Sequence, residues 1–100
     1  MDWIYEQDNL EQIAQIGWED YEWSITAVWR DNNTGKLYLG DDSGCSCFDP
    51  WEYVKSLADL VQITSVAEAR PFIDQYEDTY YNVSEAEKLT FLDNIRKNLV

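Results

Sequence analysis

Between Gly40 and Glu52 the spacing of apolar residues changes, and this constrains the fold more than any other feature of the chain. Before that stretch, Tyr21, Trp23, Ile25, Ala27 and Trp29 alternate with Glu22, Ser24, Thr26, Val28 and Arg30. A period of two, carried by aromatic and β-branched residues, belongs to a half-buried strand. After it, Trp51, Val54, Leu57, Ala58 and Val61 recur at helical spacing. Strands first and helices second predict an α+β domain, with a small antiparallel sheet of about three strands packed against two or three C-terminal helices.

Within the first half, Asp31-Asn32-Asn33-Thr34-Gly35 reads as a turn. Asn and Gly tolerate positive φ there, and Asp and Thr can bond their own backbone. Lys36-Leu37-Tyr38-Leu39 then returns as the second arm of a hairpin. The same loop fails as a calcium loop, because its glycine stands one place early and no Glu occupies the twelfth position. Residues 10–18 admit two readings. Asp8 with Glu11 could cap a short helix carrying Leu10, Ile13 and Ala14 and ended by Gly17. Alternatively, Ala14, Ile16 and Trp18 line one face of a strand. The strand is preferred, since the hairpin needs a partner and Glu19-Asp20 supplies a polar turn. Residues 1–9 read as a loose arm, 10–40 as the sheet, 41–49 as a connecting loop and 50–100 as the helical half of a single domain. Helices then cover one sheet face, and the other carries Glu22, Ser24, Thr26 and Arg30.

Three helix starts are written in the second half. Asp49-Pro50-Trp51-Glu52 joins a capping Asp to Pro at the first helical position and Glu three residues on. Ser65-Val66-Ala67-Glu68 is a second capping box, followed by Val66, Ala69, Ile73 and Tyr76, with Pro71 expected to kink or restart that helix. Ser84-Glu85-Ala86-Glu87 is a third, and its helix should bury Ala86, Leu89, Leu92, Ile95 and Leu99. Acids in its first turn and Arg96-Lys97 in its last suit the helix dipole.

One hundred residues suffice for one modest core, and 15% aromatic residues give it more to bury than a disordered tail would have. The formal charge of −13 repels phosphate backbones, which argues against direct nucleic-acid binding, and would attract a basic protein surface. Residues 1–52 hold twelve acids and two bases, Arg30 and Lys36, so most of the negative charge lies in the first half. The N-terminus has no secretory pattern and no apolar run reaches the roughly 18 residues of a membrane span. With two cysteines and no disulfide framework, a reduced, cytoplasmic protein is the simplest expectation.

Chemistry is restricted by absence. The chain has no histidine, which removes Ser-His-Asp and Cys-His catalysis and the usual neutral-pH base. No Gly-rich phosphate loop occurs. Asp41 and Asp42 are consecutive and would point to opposite faces of a strand. Cys45 and Cys47 could lend two thiolates to a metal, with Asp42, Asp41 or Asp49 completing the site, although a closed zinc or iron site normally needs four ligands. A Cys45–Cys47 disulfide would close a tight ring and be redox-labile. The plainer reading takes both as small thiols packed where the sheet hands over to the first helix. Ser43 and Ser46 read as turn residues.

The run from Tyr21 to Glu52, with its aromatic strand, Val28-Trp29-Arg30, Thr34-Gly35, Asp42-Ser43-Gly44-Cys45-Ser46-Cys47 and Pro50-Trp51-Glu52, resembles a family of small uncharacterised proteins from actinobacterial phages and their hosts. In that family proline often follows the second cysteine directly, whereas here Phe48-Asp49 intervene. The resemblance implies a phage-type accessory protein in a bacterial cytoplasm and assigns no catalytic residue.

These readings lead to a non-enzymatic protein that needs no cofactor and binds a host or phage protein, with charge mimicry of DNA as one form. Glu19, Asp20, Glu22, Asp31, Asp41, Asp42 and Asp49 are the candidate contacts, with exposed Trp and Tyr supplying area. A metal or redox module on Cys45 and Cys47 is one alternative, and a structural protein assembling as a homo-oligomer is another.

Overall fold

The computed structural model describes residues 2–45, 47–76 and 83–99; Ser46, read above as a turn residue, lies outside them. Four strands form one antiparallel sheet in chain order: β1 (Leu10–Glu19), β2 (Glu22–Asp31), β3 (Leu37–Cys45) and β4 (Val61–Ile63). Two helices follow, α1 (Val66–Ile73) and α2 (Glu85–Asn98). The fold is α+β, as the change of period requires, and residues 10–19 are a strand. Pairing of Leu10 with Asp31 through Glu19 with Trp23 fixes the register of β1, with a bulge between Gln12 and Ala14. The β2–β3 turn closes through Gly35 N–H and Thr34 N–H, both donating to the Asp31 carbonyl at 2.7 and 3.2 Å.

Both sheet faces are buried. On one, Ala14, Ile16, Val28, Leu37, Leu39 and Ile63 pack against Ala69, Ile73, Tyr76, Phe91, Leu92 and Ile95 of the helical side. On the other, Trp23, Ile25, Ala27 and Trp29 pack against Ile4, Trp51, Val54 and Leu60. The face expected to be open, with Glu22, Ser24, Thr26 and Arg30, is therefore the helix-covered one, with Glu22 exposed at its end. Thr26 is fully buried there. Its hydroxyl donates to Asp41 Oδ1 at 2.9 Å and so accepts from the Tyr76 hydroxyl at 2.8 Å, which satisfies a polar group that burial would otherwise penalise.

The aromatic face is covered by non-helical chain, where a helix was expected. No α-helix starts at Asp49. Trp51 has φ +74°, outside the right-handed helical region. Its ring lies edge-on to Trp29, with centroids 4.8 Å apart, over Gly40. Only a residue without Cβ fits at Gly40, since a Cβ would come within 2.9 Å of Trp51 Cζ3 and 3.1 Å of Trp29 Cζ3. The chain then runs through a 3₁₀ turn, Leu57–Asp59, capped by Ser56, into β4. Burial of an indole outweighs a capping motif worth about 1 kcal/mol. Of the expected loose arm 1–9, residues 2–9 are docked, because Trp3–Glu6 form a 3₁₀ turn that buries Ile4.

Two smaller differences follow from packing. Residues 41–45 extend β3, pairing Asp41 with Thr26 through Cys45 with Glu22, so the connecting loop is shorter than 41–49. In α2 the buried stripe is Phe91, Leu92 and Ile95, while Leu89 is 60% exposed and Ala86 is also on the surface. Choosing Phe91 turns the larger apolar group inward, about 160° round the helix from Leu89 at two residues' separation. Helices do begin after Ser65 and Ser84, although the Ser65 side chain makes no capping hydrogen bond. Ser84 Oγ accepts Glu87 N–H at 3.2 Å, whereas Glu68 instead binds Thr64 through its N–H at 3.0 Å and its hydroxyl at 2.8 Å. Pro71 lies inside α1 without ending it.

Candidate partner-binding face

The end of the sheet at the β1–β2 turn is built by three pieces of chain. The register of Glu19 with Trp23 and of Glu22 with Cys45 sets Glu19, Asp20 and Glu22 beside the last residue of β3. From there the chain folds back over the aromatic face. Phe48 N–H donates to the Cys45 carbonyl at 3.0 Å, and Trp23 Nε1–H is shared between the carbonyls of Cys45 at 3.0 Å and Phe48 at 3.3 Å. Asp42 secures the following residues. Its Oδ2 accepts Trp51 N–H at 2.9 Å and its Oδ1 accepts Ser43 N–H at 2.9 Å. Glu52 Oε1 accepts Asp49 N–H at 3.0 Å, the reciprocal half of a capping box that here holds a turn.

Two open grooves result, sharing Trp23 and Ser43. One, of about 400 Å³, has Asp42, Asp49 and Glu52 on its walls with Phe48 and Tyr53. The other, of about 440 Å³, runs past Trp18, Glu22 and Cys45. The N-terminal turn reaches the same end. The Tyr5 hydroxyl titrates above its ordinary value, first because it is partly buried and then because Asp2, Asp49 and Glu19 lie close. Tyr53 is raised similarly, by burial and then by the charge of Asp42.

Charge and apolar exposure coincide there. Six large apolar side chains are exposed among the described residues, and four of them, Tyr5, Tyr21, Phe48 and Tyr53, belong to this end. Arg30 and Lys36, the only bases of residues 1–52, sit at the far end of the hairpin, where Arg30 pairs with Leu37. The face thus joins carboxylates that form no ion pair among the described residues to aromatic area, a combination suited to a cationic surface.

Of the residues expected from sequence, Glu19, Asp42 and Asp49 meet on the aromatic side of this end, while Glu22 stands at the same end on the helix side, with Asp20 in the turn between Glu19 and Glu22. Asp42 is committed to backbone donors and shapes the groove more than it offers charge. Asp41 is separate: it lies on the helix side, bonded to Thr26 and to Gln75 Nε2 at 3.0 Å. Asp31 lies at the opposite end and is buried. Its carboxyl is held below the ordinary value by hydrogen bonds from the Asn9 side chain, at 3.1 Å, and from Asn33 N–H, at 2.9 Å. It organises the turn. Among the described residues the exposed tyrosines expected to supply area are Tyr5, Tyr21 and Tyr53, whereas no Trp is exposed because the indoles fill the core; Phe48 and Glu52 were not among the candidate contacts. Their one trace in the sequence is that Phe48 flanks, and Glu52 belongs to, a helix start that no helix uses.

Cys45 is half-buried and Cys47 exposed, both as free thiols. Among the described residues no group of three or more Cys, Asp or Glu side chains is placed to hold a metal ion, and Asp42 is occupied by Trp51 and Ser43. Nor is any helix among them long and apolar enough to cross a membrane.

A family match takes in this whole architecture, from the buried Ile4 to the last residue of the helical side, residues 4–99. The chain belongs to the DUF7574 family, a domain of unknown function. Comparison with curated proteins and with solved structures yields no match. The DUF7574 domain therefore has to be read from its own geometry.

Proposed function

We propose that this DUF7574 domain is a non-enzymatic binding module that takes a basic protein partner on the face formed by the β1–β2 turn, the end of β3 and residues 47–53. The observation that carries this is the coincidence of exposed Tyr5, Tyr21, Phe48 and Tyr53 with Glu19, Asp20, Glu22, Asp49 and Glu52 at one end of the sheet. Carboxylates alone would give a salt-sensitive encounter; rigid aromatics beside them add desolvated contact area and slow dissociation. The resemblance of residues 21–52 to phage proteins makes a host protein in the bacterial cytoplasm the proposed partner. A DNA-binding protein, with the carboxylates standing in for phosphates, is the finer form of the same proposal.

The test is capture of partners from a bacterial lysate on the tagged domain, at low and high salt and with competing DNA. Wild type should retain a basic protein that Asp49→Lys/Glu52→Lys loses, and release by DNA would identify the mimic. Equal retention by wild type and the charge-reversed variant would refute the assignment of this face. A discrete oligomer at all salt concentrations, with no partner, would favour assembly instead.

A further inference from the structure

We propose that Cys45 and Cys47 form a reversible intramolecular disulfide that switches the partner-binding face, a regulation that rests on the function proposed above. Three observations meet at this pair. The Phe48 N–H donating to the Cys45 carbonyl at 3.0 Å turns the chain back within four residues. Residues two apart in such a turn have α-carbons about 5–6 Å apart, inside the roughly 4.4–6.8 Å that a disulfide spans. Both thiols are free, and the exposed Cys47 can be reached by a small oxidant. The Cys47 thiol also titrates above its ordinary value, chiefly through the neighbouring Cys45 side chain.

Position gives the bond a consequence. Cys45 lines one groove of the face, and Cys47 directly precedes Phe48 on the wall of the other. Trp23 Nε1–H bridges the carbonyls of Cys45 and Phe48 under the same turn. Drawing Cys47 onto Cys45 tightens this turn, disturbs the shared indole hydrogen bond and withdraws Phe48 from the surface. Oxidation therefore weakens partner binding.

The oxidant is a low-molecular-weight disulfide, RSSR. Cys47 loses its proton and its thiolate attacks one sulfur of RSSR, giving a mixed disulfide and releasing the first thiol, RSH, once the departing thiolate takes up a proton. Cys45 then loses its proton and attacks the Cys47 sulfur, breaking the mixed disulfide and releasing the second RSH. The two cysteines lose two electrons and two protons in all, which leave in the two RSH. Because the Cys47 thiol is shifted upward, the first attack is slow at neutral pH and accelerates as pH rises.

The experiment treats the whole domain with oxidised glutathione at pH 8 and follows intact mass, Trp fluorescence and binding of a Lys-rich peptide. The expected product is a monomer two hydrogens lighter that resists alkylation, has altered Trp emission and recovers fully with dithiothreitol. Its affinity for the peptide should fall by about fivefold or more, the loss typical of one aromatic contact. Cys45→Ser/Cys47→Ser should bind as the reduced protein does and ignore the oxidant. A persistent glutathione adduct, an intermolecular dimer, or an internal disulfide that leaves emission and affinity unchanged would overturn the switch. Failure of the reduced protein to bind any basic peptide would instead refute the binding face, and mass and emission would still decide whether the disulfide forms and moves Trp23.

Discussion

Trp51 offers a test in which the helical and observed conformations predict opposite signs. Replacing it by Ala or by Gly removes the same indole, which is 2% exposed and packed edge-on to Trp29. Each variant should lose about 3–5 kcal/mol, a large part of the roughly 5–15 kcal/mol expected of a domain this size. The informative quantity is the difference between them. In a helix, Gly is about 1 kcal/mol worse than Ala. At the positive φ of Trp51, +74°, Ala bears a steric cost of about 1–2 kcal/mol that Gly avoids. The greater freedom of Gly in the unfolded chain offsets about 0.4–1 kcal/mol of that. Trp51→Gly should thus be the more stable variant, by about 0.8 kcal/mol at the centre of a range of about 0–1.6 kcal/mol. Urea titration followed by far-UV circular dichroism would read this as a midpoint higher by roughly 0.5 M at an m-value of about 1.5 kcal/mol/M. If the baselines are short, a fixed concentration of trimethylamine oxide stabilises both. A Trp51→Gly domain less stable than Trp51→Ala would refute the turn and restore the helix at Asp49.

Leu89→Gln should change stability by no more than about 0.5 kcal/mol, because Leu89 is exposed, whereas Leu92→Ala should cost about 2–5 kcal/mol; thermal melts of both check which stripe of α2 is buried. Burial raises the Tyr76 hydroxyl above its ordinary 10.0, so its neutral form is favoured by folding; that stability is complete below pH 10 and is lost as pH rises through the folded value. Urea titrations from pH 9 to 11 should show the fall, reduced in Tyr76→Phe, which at neutral pH loses about 1 kcal/mol because Thr26 keeps Asp41 as partner. Asp31 behaves oppositely: its folded value lies below 3.8, so its contribution is present above that pH and is lost as pH falls through the lower folded value. Asp31→Ala should flatten that acid limb, which a flat wild-type profile between pH 4 and 2 would contradict.

Much of the fold was written locally. The alternation from Trp23 to Trp29 fixed β2 as a strand, Asp31 to Gly35 specified its turn, and the boxes at Ser65 and Ser84 marked where α1 and α2 begin. Each rests on neighbours within four residues of one another, which is the range over which backbone sterics and capping act. The acidity of the first half was equally visible, as were Glu19, Asp20, Glu22, Asp42 and Asp49 as candidate contacts. What the chain alone did not show is which face each pattern would meet. Alternating residues of β2 are apolar enough on both sides to be covered, and only assembly assigned Thr26 to the helices and Trp23, Ile25 and Trp29 to the irregular chain. The capping motif at Asp49 was outweighed by a contact between Trp51 and a residue more than twenty positions earlier, Trp29, over the space left by Gly40. Burying an indole is worth several times a cap, so the tertiary term decided the local conformation, and with it the turn that presents Phe48 and Tyr53 among the carboxylates.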